Sequence, residues 1–410
     1  MHTNRFFGNP FPDYDGHTCY INNSDGTLNN DLKDFIKSNF IRLFDHWQQN
    51  FPTNNNDSSV YTGTTGAALL YLKIFESKIL PNPEIYLRKA NELIEICLKN
   101  FRRIRIPTFV CGEIGMLATA TLIYYYQNKN YDEFVRKILS IHSNICSIES
   151  NDDLPDEILY GRAGYLYTLL MLRSKIPNLR QSLITDNMIR QIIVAILESG
   201  RKTSKNLHSH WPLTYVWYNE PYVGAAHGYA GILSLLLESI QHISSQELHT
   251  LIRPTLDMIV DKQFSSGNFP ACLNEQEDKL VHWCHGSPGL IYLLTIAHSI
   301  FKNDNDDKYL QSALKAGNDI WQRGLLRKGY GICHGTAGNG YAFIRLYQLT
   351  NDQKHLYRAL KFAEWCCNYG QHGCRTPDTP YSLFEGMAGT LYFLLDIINP
   401  LEARFPAFQL

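Results

Sequence analysis

The stretch Gly329-Tyr-Gly-Ile-Cys-His-Gly335-Thr-Ala-Gly338 runs straight into an apolar segment of helical length, residues 341–349. The same arrangement, Gly-x-x-Gly followed by an apolar run, occurs seven times: at Gly63/Gly66, Gly112/Gly115, Gly161/Gly164, Gly228/Gly231, Gly286/Gly289, Gly335/Gly338 and Gly386/Gly389. An eighth match, Gly370/Gly373, is out of phase and opens no apolar segment. Twenty-seven glycines placed at random would give about two such pairs, so the set is an internal repeat. Its spacings are 49, 49, 67, 58, 49 and 51 residues. A repeat brings equivalent positions together, which makes the residue before each first glycine informative. Those residues are Thr62, Cys111, Tyr160, His227, His285, His334 and Glu385, with Cys284 and Cys333 one place further back. Nearly all are polar or reactive, as an active site requires.

The apolar runs at 67–75, 116–126, 165–172, 232–237, 290–298, 341–349 and 390–398 are hydrophobic on almost every face, the pattern of buried helices. Between them lie seven amphipathic segments, 32–47, 84–101, 132–145, 187–198, 246–263, 308–325 and 354–368, each with its charges on one side. Seven dry helices alternating with seven wet ones predict an all-α fold, an α/α toroid of seven inner and seven outer helices. Closure removes the exposed end faces of an open solenoid. No linker interrupts the repeat, so residues 1–410 read as one domain whose first 29 residues are irregular. The glycines are expected to let the backbone turn sharply and approach closely where seven helix ends crowd together. The inner N-termini should then point into one mouth with free N–H donors, favouring an anion or a thiolate. Strand-like pieces are expected only at 264–273 and 370–381, where Gly and Pro interrupt the helical pattern.

Composition bounds the function. Apolar content of 44% and charged content of 19% describe an ordinary globule with a large core. A formal net charge of −1 gives no reason to expect a nucleic-acid partner. The sequence shows neither an apolar signal region near the N-terminus nor a stretch long enough to form a transmembrane segment. The expected location is therefore cytoplasmic, where ten cysteines are free, buried or metal-bound rather than paired. Cys97, Cys146, Cys366 and Cys367 fall within helical patterns and read as core or near-surface thiols.

Cys284 and Cys333 occupy equivalent positions in adjacent repeats, and so do His285 and His334. Two thiols and one imidazole at the mouth suit a zinc site with an open fourth position, the catalytic kind. His285 either replaces His334 as ligand or stands behind the site as a hydrogen-bond donor. His227 holds the same register one repeat earlier and is a candidate proton donor near neutral pH. Cys111 lacks a basic neighbour and reads as packing.

The strings Tyr-Thr-Gly (61–63), Leu-Tyr-Gly-Arg (159–162), Gly-Ala-Ala-His-Gly (224–228), Trp-Cys-His-Gly (283–286), Cys-His-Gly (333–335) and Phe-Glu-Gly-Met-Ala-Gly (384–389) resemble the eukaryotic lanthionine synthetase C-like proteins. The resemblance covers essentially the whole chain, including the ending Ala-Arg-Phe-Pro-Ala-Phe (403–408). It implies an α/α toroid around a zinc held by Cys284, Cys333 and His334, with His285 left outside. It also implies a glutathione transferase that adds the glutathione thiolate to dehydroalanine or dehydrobutyrine in proteins that have lost phosphate from serine or threonine. The positions matching the family's glutathione contacts are Lys328, Arg375, Thr376, Pro377 and Asp378, with Arg5 a weaker match. Two carboxylates on glutathione make cationic clamps chemically sensible. His227 would protonate the enolate formed after sulfur attacks.

Bacterial relatives close thioether rings within peptides and carry an acidic residue in the motif where this chain has Arg162. That departure argues against ring-forming activity. Two competing readings are a zinc prenyltransferase, whose motif strings do not match, and a non-enzymatic glutathione-binding sensor with a structural zinc.

Overall fold

The computed structural model describes residues 5–22, 25–52, 56–148, 153–302 and 307–410. Parts of the N-terminal segment, residues 1–4 and 23–24, therefore lie outside the described residues. Seven inner helices are present among them: α2 (Thr64–Ser77), α4 (Glu113–Tyr126), α6 (Arg162–Lys175), α8 (Tyr229–Glu238), α10 (Ser287–Phe301), α12 (Thr336–Thr350) and α14 (Met387–Asp396). Each alternates with an outer layer: α1 (Asn30–Asn50), α3 (Glu84–Asn100), α5 (Asp132–Leu139), α7 (Asp186–Asn206), α9 (Arg253–Val260), α11 (Lys308–Arg323) and α13 (Gln353–Cys367). Every inner helix packs on the next, and α14 packs back on α2, so the ring closes. The fold is an all-helical α/α toroid.

Burial follows the sequence pattern. In α4 the residues from Ile114 to Ile123 are all buried, whereas α1 buries only Ile36, Phe40, Leu43, Phe44 and Trp47, a single stripe. Two outer segments are less regular than their periodicity predicts. Segment 132–145 breaks after Leu139 and resumes as the short helix His142–Cys146. Segment 246–263 passes through a π-helical turn, Leu248–Ile252, just before Pro254, which has no N–H to offer the normal ladder.

Of the two segments expected to be strand-like, 264–273 contributes one isolated bridge, Cys272 to Tyr222, and 370–381 contributes none. Pro270, Pro377 and Pro380 cannot donate to a ladder. The described residues before Asn30 form no helix, but they are tied down. Phe6 bridges Leu326, the Phe7 N–H donates to the Leu325 carbonyl at 2.7 Å, and the Tyr357 hydroxyl donates to the Pro12 carbonyl at 2.7 Å.

The repeated glycines have a more specific role than sharp turning. The first of each pair is the residue immediately before its inner helix, and six of the seven have ordinary negative φ. Only Gly286, at φ +106°, needs glycine's conformational freedom. What the others need is space. A Cβ on the second glycine of every pair would lie 1.8–2.4 Å from the carbonyl oxygen six residues earlier, as at Gly115 against Phe109 and Gly338 against Ile332. Each loop therefore folds back tightly over the start of its own helix.

That folding-back corrects the expectation of free N–H donors. The N–H groups of Thr64, Arg162, Tyr229, Thr336 and Met387 donate to the carbonyls of Asp57, Pro155, Tyr222, Gly329 and Pro380 at 2.8–3.1 Å. Ser287 N–H donates instead to the Asn268 side chain at 2.8 Å. The helix ends are capped by their own loops. Ligand recognition at the mouth must come from side chains.

Candidate metal centre and active site

The seven loops are stitched to one another in a circle. Val60 and Tyr61 N–H groups donate to the Val110 carbonyl, the Thr108 hydroxyl to the Leu159 carbonyl, and Ile158 N–H to the Ala226 carbonyl. Ala225 N–H donates to Trp283, Cys284 to Cys333, Cys333 to Phe384, and Phe384 to Tyr61, at 2.9–3.4 Å. Cys284 and Cys333 are thus held by backbone bonds that do not depend on their side chains. From below, Trp283 stacks on Phe405 with centroids 4.8 Å apart and meets Phe408 edge-on at 5.4 Å. The C-terminal residues are a plug beneath the loop that carries Cys284.

The ligand atoms of Cys284, Cys333 and His334 lie within 4.8 Å of one another. Both cysteines are buried, while His334 is half-buried and opens toward the mouth. Burial and the adjacent Cys284 sulfur push the Cys333 thiol well up, an unfavourable setting that a bound cation would reverse. Tyr61, whose own ionisation is opposed chiefly by burial, donates its hydroxyl to Cys333 Sγ at 3.0 Å. This donor set, soft on two sides and supported from behind, fits zinc. His285 is not in the group. Its ring stands 5.5 Å from Tyr222 and 6.3 Å from His227, and burial pushes its imidazole down to about 4. His282, overlooked in the sequence because it sits two places before Cys284, is buried with its ring 6.2 Å from that of His334.

Across the mouth His227 has a partner that the motif reading missed. Its Nδ1 lies 2.8 Å from Glu157 Oε2. The Glu157 carboxylate is almost wholly buried and also accepts the Leu159 N–H at 2.9 Å, which fixes its position. Glu157 stands four residues before Gly161, outside the register on which the sequence reading concentrated. Tyr160 lies parallel to the His227 ring at 6.3 Å. Burial pushes the neighbouring Cys111 thiol up to about 12, consistent with a packing role. Thr379 donates its hydroxyl to Glu385 at 2.9 Å.

Arg162 does not face the mouth. It is buried and donates to the Ile145 and Leu154 carbonyls at 3.0 and 2.8 Å and to Asp156 Oδ1 at 3.0 Å. Carboxylates at the mouth come instead from Glu157, on His227, and from Glu385, on Thr379.

Arg5, Lys328 and Arg375 come together on one rim. Arg327 N–H donates to the Arg5 carbonyl at 3.0 Å, and Arg375 N–H to the Arg327 carbonyl at 2.8 Å. Three chain segments are thereby laid side by side with exposed cationic side chains. Burial first, then Lys328, His334 and Arg5, push the His282 imidazole down to about 3. Asp378 accepts from the Arg375 guanidinium at 2.9 Å. Arg375, Thr376 and Pro377 line a cavity of ≈ 470 Å³ together with Tyr330 and Tyr369.

A seven-fold helical toroid with two thiols, an imidazole and a His–Glu pair at one mouth defines the class of protein. The sequence profile of the lanthionine synthetase C-like protein family matches residues 54–410, and the chain belongs to that family. A Danio rerio protein named glutathione S-transferase LANCL1 is 42% identical over 416 residues, with 100% of both chains covered. Nisin cyclase superposes with a TM-score of 0.63 at 18% identity, covering 92% of this chain and 96% of its own, a likeness of fold alone. No helix among the described residues is long and apolar enough to cross a membrane.

Proposed function

We propose that this protein is a cytoplasmic, zinc-dependent glutathione transferase acting on dehydroalanine and dehydrobutyrine in formerly phosphorylated proteins. The observation that carries the reading is the meeting at one mouth of the Cys284, Cys333 and His334 group, the His227–Glu157 pair and the cationic rim. The name of the 42%-identical relative points the same way. Zinc held by the three ligands would supply a Lewis acid that lowers the pKa of a substrate thiol.

The chain's own residues do the rest. Arg375 and Lys328 clamp the carboxylates of glutathione, with Arg5 beside them. Glu157 accepts the His227 Nδ1–H, steadies the imidazolium and leaves Nε2 for proton delivery. The sulfur electron pair forms the new C–S bond at the β-carbon while the alkene pair moves toward the carbonyl. The proton from His227 ends on the α-carbon, and the thiol proton restores His227. Nothing leaves, so the product is a simple adduct.

Incubation with glutathione and a dehydrobutyrine peptide, read by mass spectrometry, should show the peptide gaining one glutathione. Tight glutathione binding with no adduct would favour a sensor instead. Arg375→Ala should raise the glutathione KM about five- to tenfold. Charge-assisted hydrogen bonds contribute about 1.5–3 kcal/mol, but solvent screening at this exposed position reduces that. A small uncharged thiol should lose much less. Equal losses for both thiols would show that Arg375 acts on folding or chemistry.

A further inference from the structure

One exposed feature of the mouth is not used by the zinc, glutathione or proton-transfer machinery. At Trp217-Tyr-Asn-Glu220 the chain makes a two-residue hairpin closed by reciprocal backbone bonds, Trp217 to Glu220 and back, both 3.0 Å. Both central residues are left-handed, Tyr218 at φ +49° and Asn219 at φ +61°. Asparagine accepts that conformation readily, but a bulky tyrosine is strained there. Yet Tyr218 is 78% exposed, the most exposed of the large hydrophobic side chains among the described residues. Neither packing nor turn chemistry accounts for a tyrosine at this position.

Its surroundings do. The Tyr218 ring meets Trp217 at 4.4 Å, Trp217 stacks on Tyr160 at 5.7 Å, and Tyr160 lies parallel to His227 at 6.3 Å. An unbroken series of rings leads from solvent to the proposed proton donor. The ladder occupies the loops before α6 and α8, whereas Lys328 and Arg375 occupy those before α12 and α14. The Cys284/Cys333/His334 group lies between the two. A molecule resting on the rings therefore ends at His227 from the side opposite the cationic rim.

We infer that Trp217 and Tyr218 form a subsite for the acceptor polypeptide and favour an aromatic side chain next to the dehydroamino acid. The inference rests on the proposed transferase reading for its choice of occupant. Aromatic pairing offers a hold without a charged contact, and the exposed Tyr218 ring stands beside the half-buried Trp217 to provide it.

The test uses the full chain and two dehydroalanine decapeptides, one with Phe beside the dehydroalanine and one with Ala. The Phe peptide should show a peptide KM about three- to tenfold lower. Tyr218→Ala and Trp217→Ala should remove most of that preference while changing the glutathione KM far less. Tyr218→Asn suits the turn better, so it should keep or raise the melting temperature and still lose the preference, which a purely structural role would not do. Fluorescence anisotropy with the unreactive Phe-Ser counterpart measures the subsite without turnover. Tyr218-dependent binding without adduct formation would retain the subsite and remove the transferase reading. Adduct formation without aromatic preference, or with a preference that survives both alanine variants, would overturn the subsite alone.

Discussion

His227→Asn should lose turnover by about 10²–10⁴-fold, the usual contribution of a positioned general acid, while zinc content and glutathione affinity stay near those of the parent. The imidazole is held by one buried carboxylate at 2.8 Å and flanked by Tyr160, so its Nε2 has a defined direction. Asparagine fills much of the same space and can still hydrogen-bond Glu157, so folding should change little. It cannot deliver a proton. A packing role alone therefore predicts modest destabilisation and nearly normal rates at saturating glutathione. Glu157→Gln gives a useful gradation, because the amide keeps the contact but no longer stabilises the imidazolium. A folded, zinc-loaded His227→Asn protein with parental turnover would remove His227 from the mechanism and leave Tyr160 or water as the donor.

What could be read from the sequence was whatever the repeat projects onto every turn of the ring. The Gly-x-x-Gly register brought Cys284, Cys333 and the two candidate histidines His285 and His334 to one mouth with His227 on the same circle, because equivalent backbone positions in a closed ring face the same mouth; only the family resemblance chose His334 over His285. The all-round apolar runs gave the inner helices, whose starts lie three residues earlier than the apolar pattern suggests, five at α12, because the second glycine is already helical. What escaped was specific to one loop or depended on contacts between distant segments. Glu157 lies outside the register, and its role is evident only once the Ile158 N–H is bonded to Ala226 and the two loops are neighbours. Tyr61 reaches Cys333 across 272 positions of sequence. Arg162 is in register yet turns away, because Asp156 and two carbonyls satisfy its guanidinium behind the loop. The free helix ends failed for a related reason: periodicity locates a helix but does not show what folds back over its first turn.

Cys333→Ala should be isolated folded and nearly free of zinc, with no detectable transfer to a dehydrobutyrine peptide. The two halves of that expectation have separate causes. Zinc loss follows from removing one of three protein ligands and leaving a single thiol and an imidazole, a set too sparse to hold the ion firmly. Folding persists because the structure around Cys333 does not hang on its sulfur. The Cys333 N–H and carbonyl remain in the circle of loop bonds, to Phe384 at 2.9 Å and from Cys284 at 3.2 Å. Below them Trp283 is still supported by Phe405 and Phe408. A chain of 410 residues also has core enough to fold without a metal, unlike small zinc domains in which the ion provides about 10–16 kcal/mol. Cys366→Ala, at an equally buried thiol outside the Cys284, Cys333 and His334 group, is the control for simple truncation and should keep zinc. Metal analysis beside thermal unfolding distinguishes the cases. Unfolding in step with zinc loss would make the ion structural and favour the sensor reading. Full zinc in folded Cys333→Ala would mean that the ion, where present, is held elsewhere.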